Sequence, residues 1–289
     1  MLIFQDRLAI ITGAGAGMGR ELAIQLSEAG AHLALCDVHA DTLEETKALC
    51  APGRRVSTHL ADVSDEASLE RFRDEAMAAH ETDHAHLLFN NAGIGGGGSF
   101  VAGSREAWER TFDICWGGVY LGCRVFLPLL IAAEEGHVVN TASINGFWGS
   151  LGPQTPHTSY VAAKFAVKGF TEALISDLRL NAPHVGVSVV MPGHIGTEIA
   201  RNSVLLHGAE VDARVSERAN QFRNTAPTTA AQAATIILDG VRAGRWRILV
   251  GDDAHTLDEL VRADPEMAYE PEFIRRMHDV GVFRGVVGE

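Results

Sequence analysis

The chain has 289 residues, with 24 basic and 37 acidic side chains and a formal net charge of −13. Hydrophobic residues make up 46 % and charged residues 21 % of the sequence, the balance of a globular protein and richer in apolar residues than a disordered chain. Nucleic acids and anionic membrane surfaces attract basic faces. We therefore expect no nucleic-acid and no membrane partner.

The cysteines and the apolar runs predict a cytoplasmic location. The four cysteines stand at 36, 50, 115 and 123 without a CxxC pair, a pattern that favours reduced thiols over a disulfide framework. A charge as early as Asp6 leaves no room for the apolar stretch of a secretory signal. The longest apolar run near the middle, 125–133, is far shorter than the roughly twenty residues that a membrane span needs.

Short apolar runs alternate with longer helical patterns along the chain. Apolar strands joined by helical crossovers indicate a parallel sheet covered by helices on both faces. Right-handed crossovers then give an α/β, doubly wound sheet, the Rossmann fold, with about seven strands. The predicted strands span 8–12, 32–36, 56–60, 85–89, 136–141, 185–191 and 248–250, and the predicted helices span 18–29, 41–50, 65–79, 108–133, 159–181 and 229–243.

No shift in composition of the kind that marks a linker divides the chain. We expect one domain over residues 1–251 and a C-terminal extension over 252–289. The acidic pairs 252–253 and 258–259 are expected at the solvated surface. His80, His84 and His86 have a spacing that a metal could use, but an exposed helix end is the favoured interpretation, and no metal site is predicted.

The first predicted strand runs into a glycine-rich turn, TGAGAGMG at 12–19, and a helix follows at once. Glycines let a backbone turn tightly and approach a pyrophosphate, and the N-terminus of a helix offers free N–H groups to the anion. The spacing is TGxxxGxG and not GxGxxG. The turn therefore indicates a dinucleotide site, and its candidate binding residues are Gly13, Gly15, Ala16, Gly17, Met18 and Gly19.

Asp37 ends the second predicted strand. A carboxylate there can accept hydrogen bonds from the adenosine ribose 2′-hydroxyl and would repel a 2′-phosphate. Ala16 and Val38 offer no cation for that phosphate. These residues predict NAD as the cofactor, with NADP-linked carbonyl reduction as the alternative. Taken alone, Asp37 is equally compatible with a helix cap.

Three polar residues suit hydride transfer between an alcohol and a nicotinamide. Ser143 follows the fifth predicted strand, and Tyr160 and Lys164 share one face of the next helix by their i, i+4 spacing. The phenol can take the proton of an alcohol, and the serine hydroxyl can hold the substrate oxygen. A free tyrosine has a pKa of about 10, and we expect the neighbouring ammonium to lower the pKa of Tyr160.

Six ordered motifs over residues 8–251 resemble the short-chain dehydrogenase/reductase family of its classical type. The resemblance implies a nicotinamide cofactor, a small-molecule alcohol or ketone as substrate, a substrate lid at about 197–225, and a homotetramer, with a dimer as the alternative. The motifs are TGAGAGMG at 12–19, Asp62 with Val63, NNAG at 90–93, Ser143, YVAAK at 160–164 and PGHIGT at 192–197.

The resemblance also implies individual roles. Ser143, Tyr160 and Lys164 would be catalytic, and Lys164 would also bind the nicotinamide ribose. Asp62 would bind the adenine amino group, with Val63 against the ring. The other cofactor-site residues would be Gly13, Gly17 and Gly19 at the pyrophosphate, Asn90, Ala92 and Gly93 beside the sheet, and Pro192, Gly193, Ile195 and Thr197 around the carboxamide.

Cys115 departs from the family pattern, because it stands where the family usually has an asparagine. The family asparagine supports a water that links the catalytic lysine to solvent, whereas a thiol is a weak donor and acceptor. We hypothesise that the proton relay survives through backbone groups and water with reduced efficiency. The alternative is a cofactor-binding sensor or scaffold with weak catalysis.

The loop 147–157 makes the separation between Ser143 and Tyr160 longer than is common in the family. Phe147, Trp148 and Leu151 are expected to make the adjoining substrate pocket apolar. We therefore expect an apolar, mid-sized secondary alcohol or ketone. The C-terminal extension, which includes Phe283, is expected to close this pocket or to reach a neighbouring subunit.

Overall fold

The computed structural model describes residues 3–96, 98–150, 156–208 and 210–282. In this part of the chain one parallel sheet of seven strands has the order β3-β2-β1-β4-β5-β6-β9. The strand order reverses between β1 and β4, which is where a doubly wound sheet opens its binding crevice. The predicted Rossmann fold is confirmed. The strands are β1 Leu8–Thr12, β2 His32–Asp37, β3 Val56–Leu60, β4 Leu87–Asn90, β5 Gly136–Thr141, β6 Val185–Pro192 and β9 Arg247–Val250, and the short pair β7 Ile195–Gly196 and β8 Thr228–Thr229 lies apart from them.

Helices cover both faces of the sheet. One core forms between the sheet and α3, α5 and α6, and a second forms on the opposite face against α1 and α9. The helices are α1 Gly17–Glu28, α2 Ala40–Leu49, α3 Glu66–His80, α4 Arg105–Phe112, α5 Gly118–Ala132, α6 Thr158–Asn181, α7 Ile199–Leu206, α8 Ala213–Thr225, α9 Ala230–Arg242, α10 Asp252–Ala263 and α11 Pro271–Asp279.

Strand β1 shows why the strands are apolar throughout. Successive side chains of a strand point to opposite faces of the sheet. Leu8 and Ile10 belong to the core beneath α3, α5 and α6, whereas Ala9 and Ile11 belong to the core beneath α1 and α9. Because both faces are covered, each position of the strand is buried and favours an apolar residue.

The helical stretch predicted over 108–133 consists of α4 and α5, joined by a π-helical turn at Asp113–Gly117. By length and composition alone, Arg105–Ala132 could cross a membrane, and half of its most apolar window is buried inside the protein. Phe126 and Leu130 are fully buried in the core that α5 shares with α3 and the sheet. The core of this fold therefore accounts for the hydropathy of the helix.

The C-terminal extension packs against its own chain. Trp148 is fully buried among residues of α10 and α11, and its Nε1 donates to the carbonyl of Ala268 at 2.8 Å. The N–H of Gly149 donates to Tyr269 Oη at 3.1 Å. The expectation that Trp148 lines the substrate pocket is therefore wrong, because the extension encloses this ring. Leu151 and Phe283 lie outside the described residues.

The expectation that the acidic pairs of the extension lie at the solvated surface is wrong for one residue of each pair. Asp258 is only 7 % exposed and pairs with both Arg247 and Arg262. Burial opposes its ionisation, but the two guanidinium groups hold the pKa of this carboxyl below its usual value. Asp253 is also buried and contacts the candidate site.

Two of the three histidines at 80–86 make hydrogen bonds to residues far away in the sequence. His80 is buried, and its Nε2 contacts Ser57 Oγ and the Leu33 carbonyl, each at 3.1 Å. His86 Nδ1 accepts the N–H of Leu8 at 3.2 Å. The expectation of an exposed helix end is thus wrong for His80. Within the described ranges, no group of three or more His, Cys, Asp or Glu residues could hold a metal ion.

Candidate active site

Two adjoining cavities open at the carboxyl edge of the sheet. The first, the glycine-turn cavity, is bordered by the turn after β1 and by the ends of β2 and β3. The second, the serine–tyrosine cavity, has a volume of about 530 Å³ and lies between the ends of β5 and β6, the start of α6, and α7. Both cavities are lined by Met18, Asn91, Gly93, Thr197 and Ile199.

The backbone of the turn requires its glycines. Gly13 and Gly17 have φ angles of +65° and +54°, which side chains rarely adopt. A Cβ on Gly13 would lie 2.8 Å from the Ala92 Cα, so the turn sits directly against the NNAG segment. Gly13, Ala16, Gly17 and Met18 line the glycine-turn cavity, at the N-terminus of α1.

Three predicted cofactor residues support the cavities from behind. They are not among the described residues that line either cavity: Gly15, Gly19 and Asn90. The N–H of Gly15 donates to Asp37, and a Cβ on Gly19 would collide with the Gly13 carbonyl. Asn90 is buried in the sheet and donates to Asn140 Oδ1 at 2.8 Å. These residues shape the turn and link β4 to β5.

Asp37 has a fixed carboxylate at the wall of the glycine-turn cavity. Its Oδ2 accepts the N–H of Gly15 at 2.9 Å, and its Oδ1 accepts the N–H of His39 at 3.1 Å. The guanidinium of Arg20 donates to the Gly15 carbonyl at 2.6 Å and pairs with Glu45 at 2.9 Å. A carboxylate held in this way can accept a hydrogen bond from a ribose hydroxyl. The charge of Arg20, the cation near this turn, is already paired with Glu45.

Asp62 and Val63 lie farther along the same cavity. Asp62 Oδ1 accepts from the N–H of Ser64 at 2.9 Å and from its hydroxyl at 2.7 Å, which fixes the carboxylate. Val63 packs so closely on α5 that a Cβ on Gly118 would lie 2.7 Å from Val63 Cγ2. Asp62 and Val63 therefore form a rigid part of the cavity wall, with one polar and one apolar side chain.

The structure brings Ser143, Tyr160 and Lys164 together at the serine–tyrosine cavity. Ser143 follows β5 and begins a short helical turn, where its Oγ accepts the N–H of Asn145 at 3.1 Å. Tyr160 and Lys164 occupy the first two turns of α6. Lys164 is 3 % exposed, and its Nζ donates to the Thr141 carbonyl at 2.9 Å and lies 5.4 Å from the centre of the Tyr160 ring.

The electrostatics of the protein's own groups differ from the expectation that Lys164 lowers the pKa of Tyr160. Burial raises the pKa of Tyr160 above its usual value, Cys115 acts in the same direction, and a hydrogen bond with Ser143 opposes them. Burial also lowers the pKa of Lys164. Desolvation penalises the charged form of each group, and it is the largest cause of both shifts.

Cys115 has a defined structural contact at the usual asparagine position. It is fully buried in the π-helical turn, donates its S–H to the Ile94 carbonyl at 3.1 Å and accepts the Ile94 N–H at 3.5 Å. A Cβ on Gly93 would lie 3.5 Å from Lys164 Nζ and 3.7 Å from Cys115 Sγ. The thiol thus fixes the segment after NNAG, next to the lysine. Single π-helical turns inside helices occur frequently at functional sites.

A buried contact between the extension and the PGHIGT loop was not predicted from the sequence. Asp253 is 8 % exposed, and its Oδ2 accepts the N–H of His194 at 2.6 Å. Burial raises the pKa of this carboxyl. A Cβ on Gly193 or Gly251 would collide with the Asp253 carboxylate. Gly193 and Gly251 are visible in the sequence, but nothing local in the sequence indicates that both glycines lie against the same carboxylate.

Helices α7 and α8 border the serine–tyrosine cavity from the segment predicted as a lid, 197–225. Val204 and Phe222 line this cavity. Ser203 of α7 accepts the N–H of Gly95 at 2.7 Å. His194 Nε2 donates to the Phe222 carbonyl at 2.6 Å, and the two rings lie 4.3 Å apart. The PGHIGT loop is therefore fastened both to α8 and to the extension.

Comparison with known proteins is consistent with this geometry. The short chain dehydrogenase family matches residues 7–205. The chain belongs to the short-chain dehydrogenase/reductase family. It is 37 % identical over 265 residues to SadH of Mycobacterium tuberculosis, a protein named as an oxidoreductase, with 91 % of this chain and 92 % of SadH covered. It is 34 % identical over 248 residues to levodione reductase of Leifsonia aquatica, with 82 % and 89 % covered.

A solved structure gives the same result for the fold. A short-chain dehydrogenase/reductase of Burkholderia phymatum, in complex with NAD, superposes with a TM-score of 0.81 at 32 % identity, and the match covers 94 % of this chain and 98 % of that one. The chain is thus an oxidoreductase of a family that binds NAD or NADP. The two cavities at the carboxyl edge, the glycine turn at a helix N-terminus and the carboxylate at the end of β2 fit such a dinucleotide.

Proposed function

We propose that this enzyme transfers a hydride between NAD(H) and a secondary alcohol or its ketone, with Tyr160 as the acid/base. The observation that carries the proposal is the arrangement of Ser143, Tyr160 and Lys164 on the wall of one cavity, which adjoins the glycine-turn cavity. Levodione reductase is named for a carbonyl reduction of this class.

Each of the three side chains has a distinct role in this proposal. Ser143 Oγ holds the substrate oxygen, and Tyr160 Oη takes the hydroxyl proton during oxidation or returns it during reduction. The ammonium of Lys164, which the Thr141 carbonyl orients, stabilises the phenolate and binds the nicotinamide ribose. The bound nicotinamide supplies the hydride acceptor or donor and, in its oxidised form, a second positive charge.

Asp37 supports NAD over NADP. Its two oxygens are held by the N–H groups of Gly15 and His39 and face the glycine-turn cavity. A ribose 2′-hydroxyl can donate to this carboxylate, whereas a 2′-phosphate would meet a like charge. The relative from Burkholderia phymatum was solved with NAD.

The lining of the serine–tyrosine cavity supports an apolar, mid-sized substrate. Ile144, Ile199, Ala200, Val204 and Phe222 contribute apolar surface around the polar residues. Pockets of this kind bind the body of a ligand by apolar contact and orient it with a few polar groups.

We also propose that the enzyme is a cytoplasmic homotetramer that assembles through α5 and α6. Tyr120 and Ile131 of α5 and Phe165 of α6 are exposed apolar side chains, which subunit contacts would cover. Light scattering coupled to size exclusion tests the assembly, and a dimer or monomer at micromolar concentration would contradict it.

The proposed function is tested by measuring the formation of NADH or NADPH with a panel of secondary alcohols, sterols and polyols. Each alcohol is assayed with NAD and with NADP. Turnover with NAD that is lost in Tyr160→Phe supports the proposal. Absence of turnover across the panel, in protein that binds NADH, would instead favour a sensor or scaffold.

A further inference from the structure

Three imidazoles line the serine–tyrosine cavity, and they differ in what their ring nitrogens contact. His194 Nε2 donates to the Phe222 carbonyl. His207 Nε2 lies 3.3 Å from Thr111 Oγ1 and 3.3 Å from the Gly95 carbonyl. The ring of His157 has no hydrogen bond to any residue that the structure describes, and it packs against the ring of Tyr160.

His157 stands immediately beside the reacting phenol. It is the residue before α6, one helical turn ahead of Tyr160, and its side chain makes no capping hydrogen bond to the helix. The two ring centres lie 4.7 Å apart at an interplanar angle of 34°. The imidazole and the phenol therefore border the same part of the serine–tyrosine cavity.

The imidazole is neutral under ordinary conditions. Burial lowers the pKa of His157 to about 4, so near neutral pH the ring offers one N–H donor and one nitrogen acceptor. A polar group at an apolar wall costs free energy until it is hydrogen-bonded. A hydroxyl or a carbonyl of a bound substrate could supply that hydrogen bond.

We propose that His157 binds a second oxygen of the substrate, on the carbon next to the one that reacts at Tyr160. The favoured substrates are therefore vicinal diols and the corresponding hydroxyketones or diketones, carried on an apolar skeleton. The inference rests on the proposed function and narrows its substrate class. Ser143 and Tyr160 hold the reacting oxygen, and of the three imidazoles at this cavity His157 is the one whose ring nitrogens have no hydrogen bond to a described residue.

The test uses matched substrates that differ in one hydroxyl group: cyclohexanol against cyclohexane-1,2-diol, and indan-1-ol against indane-1,2-diol. His157→Phe keeps a ring beside Tyr160 but removes both nitrogens. His157→Gln restores a donor and an acceptor without the ring. His255→Phe on the exposed face of α10 is the matched control.

The wild type is expected to prefer the diol of each pair. In His157→Phe, kcat/KM should fall about tenfold for the diols and stay within about twofold for the simple alcohols, as loss of one hydrogen bond predicts. His157→Gln should recover part of the loss. The His255 variant should behave as the wild type does.

Three results would overturn the inference: a wild-type preference for the simple alcohols, an equal loss on both members of a pair, or no change on either. An equal loss would mean that His157 acts through its contact with Tyr160. Thermal melting reports whether each variant is folded, and if His157→Phe does not fold, the wild-type preference and the glutamine variant decide. Turnover of simple alcohols without a diol preference refutes this inference alone, whereas no turnover of any alcohol refutes the proposed function as well.

Discussion

Asp253 Oδ2 accepts the backbone N–H of His194 at 2.6 Å, so the first turn of the C-terminal extension holds a loop that borders the serine–tyrosine cavity. The same loop residue reaches α8 through its imidazole. The PGHIGT loop, for which the family resemblance implies contact with the nicotinamide carboxamide, is thus held from two sides. Its position depends on residues far away in the sequence.

Replacement of Asp253 by alanine should loosen this loop. The N–H of His194 loses its acceptor, which costs on the order of 1–3 kcal/mol for a buried group, so we expect a lower melting temperature. We also expect the KM for NAD to rise several-fold with a smaller change in kcat. Asp252→Ala, at the exposed neighbouring position, is the control for the charge change. Equal kinetic effects of the two variants would contradict the role assigned to Asp253.

Acid should destabilise the protein through its buried histidines. Burial lowers the pKa of His137 to about 4, compared with a usual value of 6.5. Its neutral form stabilises the fold fully above the usual pKa, and this contribution is lost as the pH falls towards 4. The loss is on the order of 3 kcal/mol for this residue, and His80, with a pKa of about 4, acts in the same direction.

Chemical denaturation at a series of pH values from about 7 to about 4 measures how far the free energy of unfolding falls. His137→Gln should flatten the fall in unfolding free energy, because an amide can still contact Ser188 Oγ but does not titrate. His255→Gln, on the exposed face of α10, should retain the wild-type slope. An unchanged slope in the His137 variant would show that other groups control acid unfolding.

Asp37→Asn should shift the enzyme towards NADP. The amide keeps one acceptor oxygen but loses the charge that repels a 2′-phosphate. We expect the ratio of kcat/KM for NAD to that for NADP to fall by about 10- to 100-fold, within the range for hydrogen bonds to charged groups. Asp41→Asn in the first turn of α2 makes the same charge change on an exposed residue. If both variants change this ratio equally, the overall charge of the protein, and not the position of Asp37, sets the preference for NAD over NADP.

Cys115→Ala should destabilise the protein more than Cys115→Ser. Alanine leaves the N–H and carbonyl of Ile94 without the thiol, whereas a serine hydroxyl can still donate and accept. The expected difference in unfolding free energy is about 1–3 kcal/mol. Equal stability of the two variants would mean that the thiol fills space only.

Cys115→Asn, which restores the usual family residue, should raise turnover if the thiol limits the proton relay.

The sequence was sufficient for the features that depend on local patterns. The apolar strands, the glycine turn and the i, i+4 pair Tyr160 and Lys164 follow from short-range spacing, and the structure places them as expected. The environments of Trp148, Asp253 and Asp258 could not be predicted in this way, because the extension that buries them returns from far along the chain. Burial also decides the direction of the Tyr160 pKa, and burial is a property of the folded chain.

In the proposed reaction Tyr160 transfers the proton while NAD(H) carries the hydride. The most direct measurement compares NAD-linked turnover of the best alcohol by the wild type and by Tyr160→Phe, with NADH affinity measured for both. We predict that turnover falls by about 10²- to 10⁴-fold, the usual contribution of general acid–base catalysis, while NADH binding is unchanged. A phenylalanine variant that keeps wild-type turnover would exclude Tyr160 as the acid/base, and a wild type that binds NADH and oxidises no alcohol would exclude the proposed reaction.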